Sequence, residues 1–468
     1  MRSATNRFAS SPLMLALIGL TASVFLAYLI AEQPLSWMIW GLAAVLVVMV
    51  TFLHTRVAIY LIIFSMLLSP EIGIGASAGG RDITIRLEDL LLIVVGLAWL
   101  ARTAYKKELG LLGKSPLNKP MVAYGLAALL ATLVSGLTSE TNWLRALMFL
   151  AKYLEYFVLY LLVLTNIKTR SDVKNYLTAA LVTCAIVALI GIVQIPSGHR
   201  VSAPFEGQNG EPNTFGGYLV FMLAIVTGFY LTASSFRERM AWLSFGTLLA
   251  APLLFTLSRS SWIAAVGMVS IFLIFGPRRS HFVTAGAVAL VLFPVLAPEP
   301  VIERIEFTFR QPESRGQVTV GNWRLDTSSS ARIASWKFGL EGWAKRPLTG
   351  YGVAGYYFMD AQYVRILTEA GVVGLAAFAW LAWCIWRLAI DRFRNASDRF
   401  SRGLTLGFLA GYVAMLAHGI GANTFIIVRI MEPFWLLTAL VVALPETEES
   451  QALDAATLPT VYRGDRLA

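Results

Sequence analysis

Residues 299–363 read EPVIERIEFTFRQPESRGQVTVGNWRLDTSSSARIASWKFGLEGWAKRPLTGYGVAGYYFMDAQY, and they decide the fold by contrast with what surrounds them. Arg304, Arg310, Arg315, Arg324, Arg332, Lys337, Lys345 and Arg346 are nearly balanced by Glu299, Glu303, Glu306, Glu313, Asp326, Glu341 and Asp360. This is the one long polar interruption in an otherwise apolar chain. A mixed-charge segment of this length between apolar runs reads as a folded element outside a membrane, placed to cover a site at its surface.

Working outward, 57% of the 468 residues are hydrophobic and only 14% are charged, which excludes a soluble core of this size. The predicted class is an all-α polytopic membrane protein, because helices satisfy their own backbone hydrogen bonds in lipid. A spanning helix needs about 20 mainly apolar residues. The runs that approach this are 12–31, 36–53, 57–69, 87–104, 120–137, 149–167, 173–194, 213–233, 241–256, 260–276, 281–297, 363–387, 403–420 and 424–444, so twelve to fourteen helices are expected. The first run has no small-residue cleavage site and reads as a retained helix rather than a signal peptide. The organisation is therefore N-terminal helices over 1–297, a large outer loop over 298–362, C-terminal helices over 363–444 and a disordered cytoplasmic tail over 445–468.

The net charge of +10 raises the question of nucleic acid, but in such a chain it reflects basic cytoplasmic loops. With Arg2 and Arg7 inside, every even-numbered loop falls inside and is net basic, including Lys106, Lys107, Lys168, Arg170, Arg278 and Arg392. Residues 299–363 then face outward. Cys184 and Cys384 lie in apolar runs and imply neither a disulfide framework nor a metal cluster.

Three outward stretches carry chemistry. His199-Arg200 precedes APFEGQNGEPNTFGGY, where Asn213 and paired glycines open a helix whose free N–H groups favour an anion; an ordinary capped turn is the alternative. In TLSRSSW, Arg259 sits between long apolar runs, where an unpaired cation is costly; snorkelling to the headgroup level is the alternative. In the long segment, Arg332 and Trp336 share a helix face, followed by Asp360, Arg365 and Glu369 at the head of the next helix. Arg365 and Glu369 are also spaced for a simple i,i+4 ion pair. Guanidinium forks suit pyrophosphate oxygens, so the convergence of Arg200, Arg259 and Arg332 on one face points to a phosphorylated ligand.

The ordered set APFEG…EPNTFGGYL, FTLSRSSWIA, SARIASWKFGLEGWAKRPLTGYGVAGY and DAQYVRILTEAGVVGL resembles the O-antigen ligase and Wzy-type polymerase superfamily of bacterial envelope glycosyltransferases, over roughly residues 85 to 440. The resemblance implies a GT-C-like fold in the inner membrane with a periplasmic site. It implies metal-independent, inverting transfer of an undecaprenyl-pyrophosphate-linked glycan to an acceptor glycan or lipid A-core, without a cofactor. Chain-length regulator or export proteins are the further partners it implies. By that similarity Arg259 matches the pyrophosphate-binding arginine, with Arg200 the second and Arg332 a further contact. Ligases of the superfamily carry a His-Asn pair where this chain has Asp360-Ala361. The general base is left open among Asp360, His418 and Glu369, and the missing histidine favours a polymerase of exopolysaccharide or O-antigen repeat units over a ligase. A transporter of lipid-linked glycan is the reading from another class; it would call for repeat symmetry and charges inside the bundle, and neither is read from the sequence.

Overall fold

The computed structural model describes residues 35–78, 81–107, 115–138, 142–204, 210–284, 286, 298–312, 316–320, 323–357 and 359–457. The expected runs 12–31 and, almost wholly, 281–297 lie outside the described residues, as does the tail from 458 onward. The other twelve runs are helices: α1 (Leu35–Leu53), α2 (Thr55–Leu68), α3 (Leu87–Tyr105), α4 (Asn118–Thr138), α5 (Trp143–Asn166), α6 (Arg170–Gln194), α7 (Pro212–Thr232), α8 (Phe236–Phe255) and α9 (Arg259–Phe275), then, after the polar segment and its own two helices, α12 (Gln362–Arg394), α13 (Arg399–His418) and α14 (Val428–Thr457). Seven of the described helices are long and apolar enough to cross a bilayer, and three shorter ones are apolar. The polar segment contains α10 (Glu299–Arg310) and α11 (Thr327–Lys345).

Two small antiparallel hairpins interrupt the helical pattern without changing its class. β1 (Glu71–Ala78) pairs with β2 (Arg81–Arg86) between α2 and α3, and β3 (Thr319–Val320) pairs with β4 (Trp323–Arg324) inside the polar segment. A further difference lies at the C-terminus, where the expected disordered tail begins inside a helix: α14 continues past Glu446 to Thr457.

The core is built where α7 crosses α13, with α9 and α14 packed beside them. Along α7 the residues Thr214 to Met222 are all buried, and Ile430 to Leu444 on α14 are buried likewise. Backbone approach sets the α7–α13 crossing: a Cβ on Gly228 would lie 2.3 Å from the Gly403 carbonyl oxygen. Small residues permit such contact where lipid offers no hydrophobic drive between helices. On the periphery, Leu42, Val45, Leu97, Val122 and Val266 stay exposed, as a lipid-facing surface requires.

The two ends of the bundle differ in charge chemistry. One end gathers Arg102 beside Thr55, Arg56 against Asp172, Arg170 against Asp398 and Arg278 on the Leu231 carbonyl. The opposite end carries the connections after α6 and α8, together with α10 and α11. The alternation of helix direction from α1 through α9 puts these basic residues at one end and the Arg200 and Arg259 turns at the other.

Candidate functional site

The site is assembled from the turn after α6 outward. Val201 N–H donates to the Phe255 carbonyl (3.0 Å), and Gln194 brackets Ser202 with two hydrogen bonds of 3.0 Å. These contacts pin Arg200 over the α8–α9 turn. Its Nε donates to the Thr256 carbonyl (2.9 Å), and its Nη2 reaches the Leu257 carbonyl (3.4 Å) and Asn213 Oδ1 (3.5 Å). Leu257 takes φ +51°, a left-handed conformation costly for a branched side chain. The surrounding bonds hold that turn: Ser258 caps α9 by accepting from Ser261 N–H (3.3 Å), and Arg259 follows as the first helical residue.

Arg259 joins the bundle to the polar segment. Its Nη1 donates to Asp326 Oδ1 (2.9 Å), Thr308 Oγ1 (3.0 Å) and Ser329 Oγ (3.0 Å), and its Nη2 donates to Asp326 Oδ2 (2.7 Å). Asp326 is 0% exposed and also caps α11 by accepting from Ser329 N–H (3.0 Å). One carboxylate thus fixes a helix start and a guanidinium in fork geometry. Burial acts to raise the Asp326 carboxyl, but the bonds from Arg259 and Ser329 outweigh it and hold the group below the ordinary carboxylate value.

Two further arginines complete the cluster. Burial, together with Arg304, Arg259 and Arg332, pushes Arg200 down to about 10. Burial and Arg259 lower Arg304, with Asp326 opposing. Burial lowers Arg332 too; Asp360 opposes this and Arg259 adds to it. Four guanidinium groups thus act on one another with two carboxylates, Asp326 and Asp360, among them, and four minus two leaves an excess of two positive charges. A partly buried excess of that sign is chemically suited to a multivalent anion.

The remaining sequence candidates fall into two groups. Asp360 is half-buried and acts electrostatically on Arg332. His418 is fully buried, with Nδ1 2.8 Å from Thr424 Oγ1 and Nε2 3.3 Å from Ser261 Oγ. Gly421, just beyond it, lies beside Arg332. Arg365 and Glu369, by contrast, pair with each other at 2.8 Å, and Glu369 also accepts from Ala354 N–H at 3.1 Å. Arg365 lies over the Phe149 ring at 5.1 Å, so the ion-pair alternative describes these two residues.

Sequence reasoning missed Arg304, Thr308, Asp326 and Ser329. A signal was available for the first two. Arg304 and Thr308 are four apart in EPVIERIEFTFR and share a helix face, although that helix reads only as part of a mixed-charge segment. Asp326 heads TSSSAR as a helix cap, but nothing in its spacing names Arg259 as its partner.

Fold and site together define a multi-pass membrane protein with a cationic site at one end of its bundle, covered by a polar module. Residues 247–379 match the family model Wzy_C, O-antigen ligase. This match covers 133 of the 468 residues and supports the O-antigen ligase and Wzy-type superfamily for that segment. The matched segment contains Arg259, Arg304, Asp326, Arg332, Asp360, Arg365 and Glu369, whereas Arg200, Asn213 and His418 reach the site from outside it. No curated protein matches the chain.

Proposed function

We propose that the protein transfers a glycan from a polyprenyl pyrophosphate, of the undecaprenyl type, to an acceptor sugar hydroxyl, as a polymerase of exopolysaccharide or O-antigen repeat units. The observation that carries the proposal is the cluster of Arg200, Arg259, Arg304 and Arg332 where the bundle meets the polar module. The acceptor oxygen attacks the anomeric carbon from the face opposite the pyrophosphate, the bond from that carbon to the pyrophosphate oxygen breaks, and configuration inverts. Charge develops on the leaving pyrophosphate, where preorganised guanidinium groups stabilise it without a metal. Asp360 is the favoured base: it is half-buried beside Arg332, whereas both His418 nitrogens face hydroxyl partners and Glu369 is held by Arg365 and Ala354. α10 and α11 limit water at the sugar-bearing end, which suppresses hydrolysis. The basic end of the bundle faces the cytoplasm and the arginine cluster the periplasm, by the positive-inside rule.

Arg304→Gln and Arg332→Gln test the charge assignment, because neither side chain forms the Arg259–Asp326 junction. Each variant, inserted normally, should lose about a hundredfold in transfer from a lipid pyrophosphate donor in proteoliposomes. Unchanged transfer in both refutes the assignment. A ligase is the second reading, favoured by the description of the matching family. A deletion strain separates them: single repeat units on the acceptor mark a lost polymerase, and full-length glycan stranded on the lipid carrier marks a lost ligase.

A further inference from the structure

A second charged cluster lies inside the bundle, built by helices that do not carry the four arginines. Glu88 and Asp89 come from the first turn of α3, Lys152 and Glu155 from α5, and Arg429 and Glu432 from the start of α14. This corrects the sequence reading that no charges lie inside the bundle. Lys152 Nζ is 3.0 Å from both Asp89 oxygens, and Arg86 Nε is 3.9 Å from Glu88 Oε1. Arg429, fully buried, donates to the carbonyls of Pro204 (2.7 Å) and Ser69 (3.2 Å).

The carboxylates are not similarly satisfied. Glu432 is 0% exposed and Glu88 1% exposed. Among the described residues, neither oxygen of Glu432, neither oxygen of Glu88 and one oxygen of Glu155 has a hydrogen-bond partner. Glu432 lies within electrostatic reach of Glu88, Glu155, Asp89 and Lys152, and of Tyr156, whose hydroxyl donates to the Ile426 carbonyl at 2.8 Å. Four carboxylates, Glu88, Asp89, Glu155 and Glu432, meet three cations, Arg86, Lys152 and Arg429; four minus three leaves one negative charge. A buried, unpaired carboxylate is neutralised rather than tolerated. No three acidic, His or Cys side chains among the described residues are arranged to hold a metal ion, and a proton neutralises a buried carboxylate without any such set.

We propose that this cluster is a binding site for one proton, shared by Glu432 with Glu88 and Glu155, and that its loss loosens the segment carrying Arg200. Arg429 and Glu432 are three apart on one helix face and Arg429 also acts on Glu88, so negative charge left in the cluster competes with the Pro204 and Ser69 carbonyls for the Arg429 guanidinium. Pro204 lies four residues beyond Arg200, in the segment pinned through Val201 and Ser202. Proton release thus withdraws one anchor of that segment. The inference does not depend on the proposed transfer reaction.

Hydrogen exchange of the full chain in lipid nanodiscs tests the inference at the Val201 and Ser202 amides, after correction for intrinsic pH dependence. Protection should fall at least about fivefold between mildly acidic and alkaline pH, and Glu432→Gln should keep the acid-pH protection throughout. The infrared band of a protonated carboxyl should be present at neutral pH and lost in Glu432→Gln. If that variant fails to insert, Glu155→Gln should flatten the same response. An unchanged pH response in the inserted variant, absence of the protonated-carboxyl band, or protection that follows added sodium or calcium instead of pH overturns the proposal.

Discussion

Asp326→Ala should release the polar module from the bundle. The carboxylate accepts both terminal nitrogens of Arg259 and the Ser329 N–H, and it is 0% exposed. Removing one partner of a buried ion pair costs about 3–5 kcal/mol. The Arg259 side chain is 17% exposed, so the lower end, about 3 kcal/mol, applies. Loss of the α11 cap adds about 1 kcal/mol. The sum of about 4 kcal/mol shifts module docking roughly a thousandfold toward the open state. Asp326→Asn keeps a capping oxygen and should lose only the ionic part, about 3 kcal/mol. Hydrogen exchange over Thr327–Lys345 reads both variants, and inorganic pyrophosphate should restore protection by replacing the lost anion on Arg259. Wild-type protection in the alanine variant, or equal loss in both variants, would refute the reasoning. The pH dependence has a fixed sign. Because the folded Asp326 carboxyl is held low, its contribution is complete above the unfolded value of about 3.9 and disappears as pH falls through the folded value.

Two other outcomes follow from the same geometry. Asp360→Asn should lower the transfer rate by about a hundredfold with donor binding retained, while His418→Ala should lower thermal stability first; a larger catalytic loss for His418→Ala with stability unchanged makes the histidine the base. Gly228→Val should cost about 1–3 kcal/mol by forcing α7 away from α13, where even a Cβ meets the Gly403 carbonyl at 2.3 Å. An unchanged melting midpoint in detergent counts against that packing account.

The spans were legible because lipid imposes a long apolar period that few other constraints disguise, and α2, α4 and α7 begin within two residues of the expected starts. Arg259 was legible for the complementary reason, a cation set between two apolar runs. Its partner was not: Asp326 lies 67 residues away, and pairing over that separation is decided by packing. Arg304 was hidden by Glu303 and Glu306, which make its helix read as evenly charged. Glu155 and Glu432 stood in apolar runs all along, where ionisable residues mark function by default. Hydropathy averaging concealed them, because one carboxylate hardly alters a window of aliphatic neighbours.

α12 has one break, and the chain leaving α11 closes it. At Gly371 the backbone takes φ +63° and ψ −164°, and residues 347–352 lie against the gap. Val372 N–H donates to the Pro347 carbonyl (2.9 Å), while the carbonyls of Thr368 and Glu369 accept from Tyr351 (2.9 Å) and Gly352 (2.8 Å). The backbone groups that a broken helix leaves free are therefore taken up by the chain leaving α11. From this socket the helix continues unbroken to Arg394, about 35 Å away at 1.5 Å per residue. The chain leaving α11 is thus bonded to the root of a rod whose far tip lies among the opposite end's basic residues.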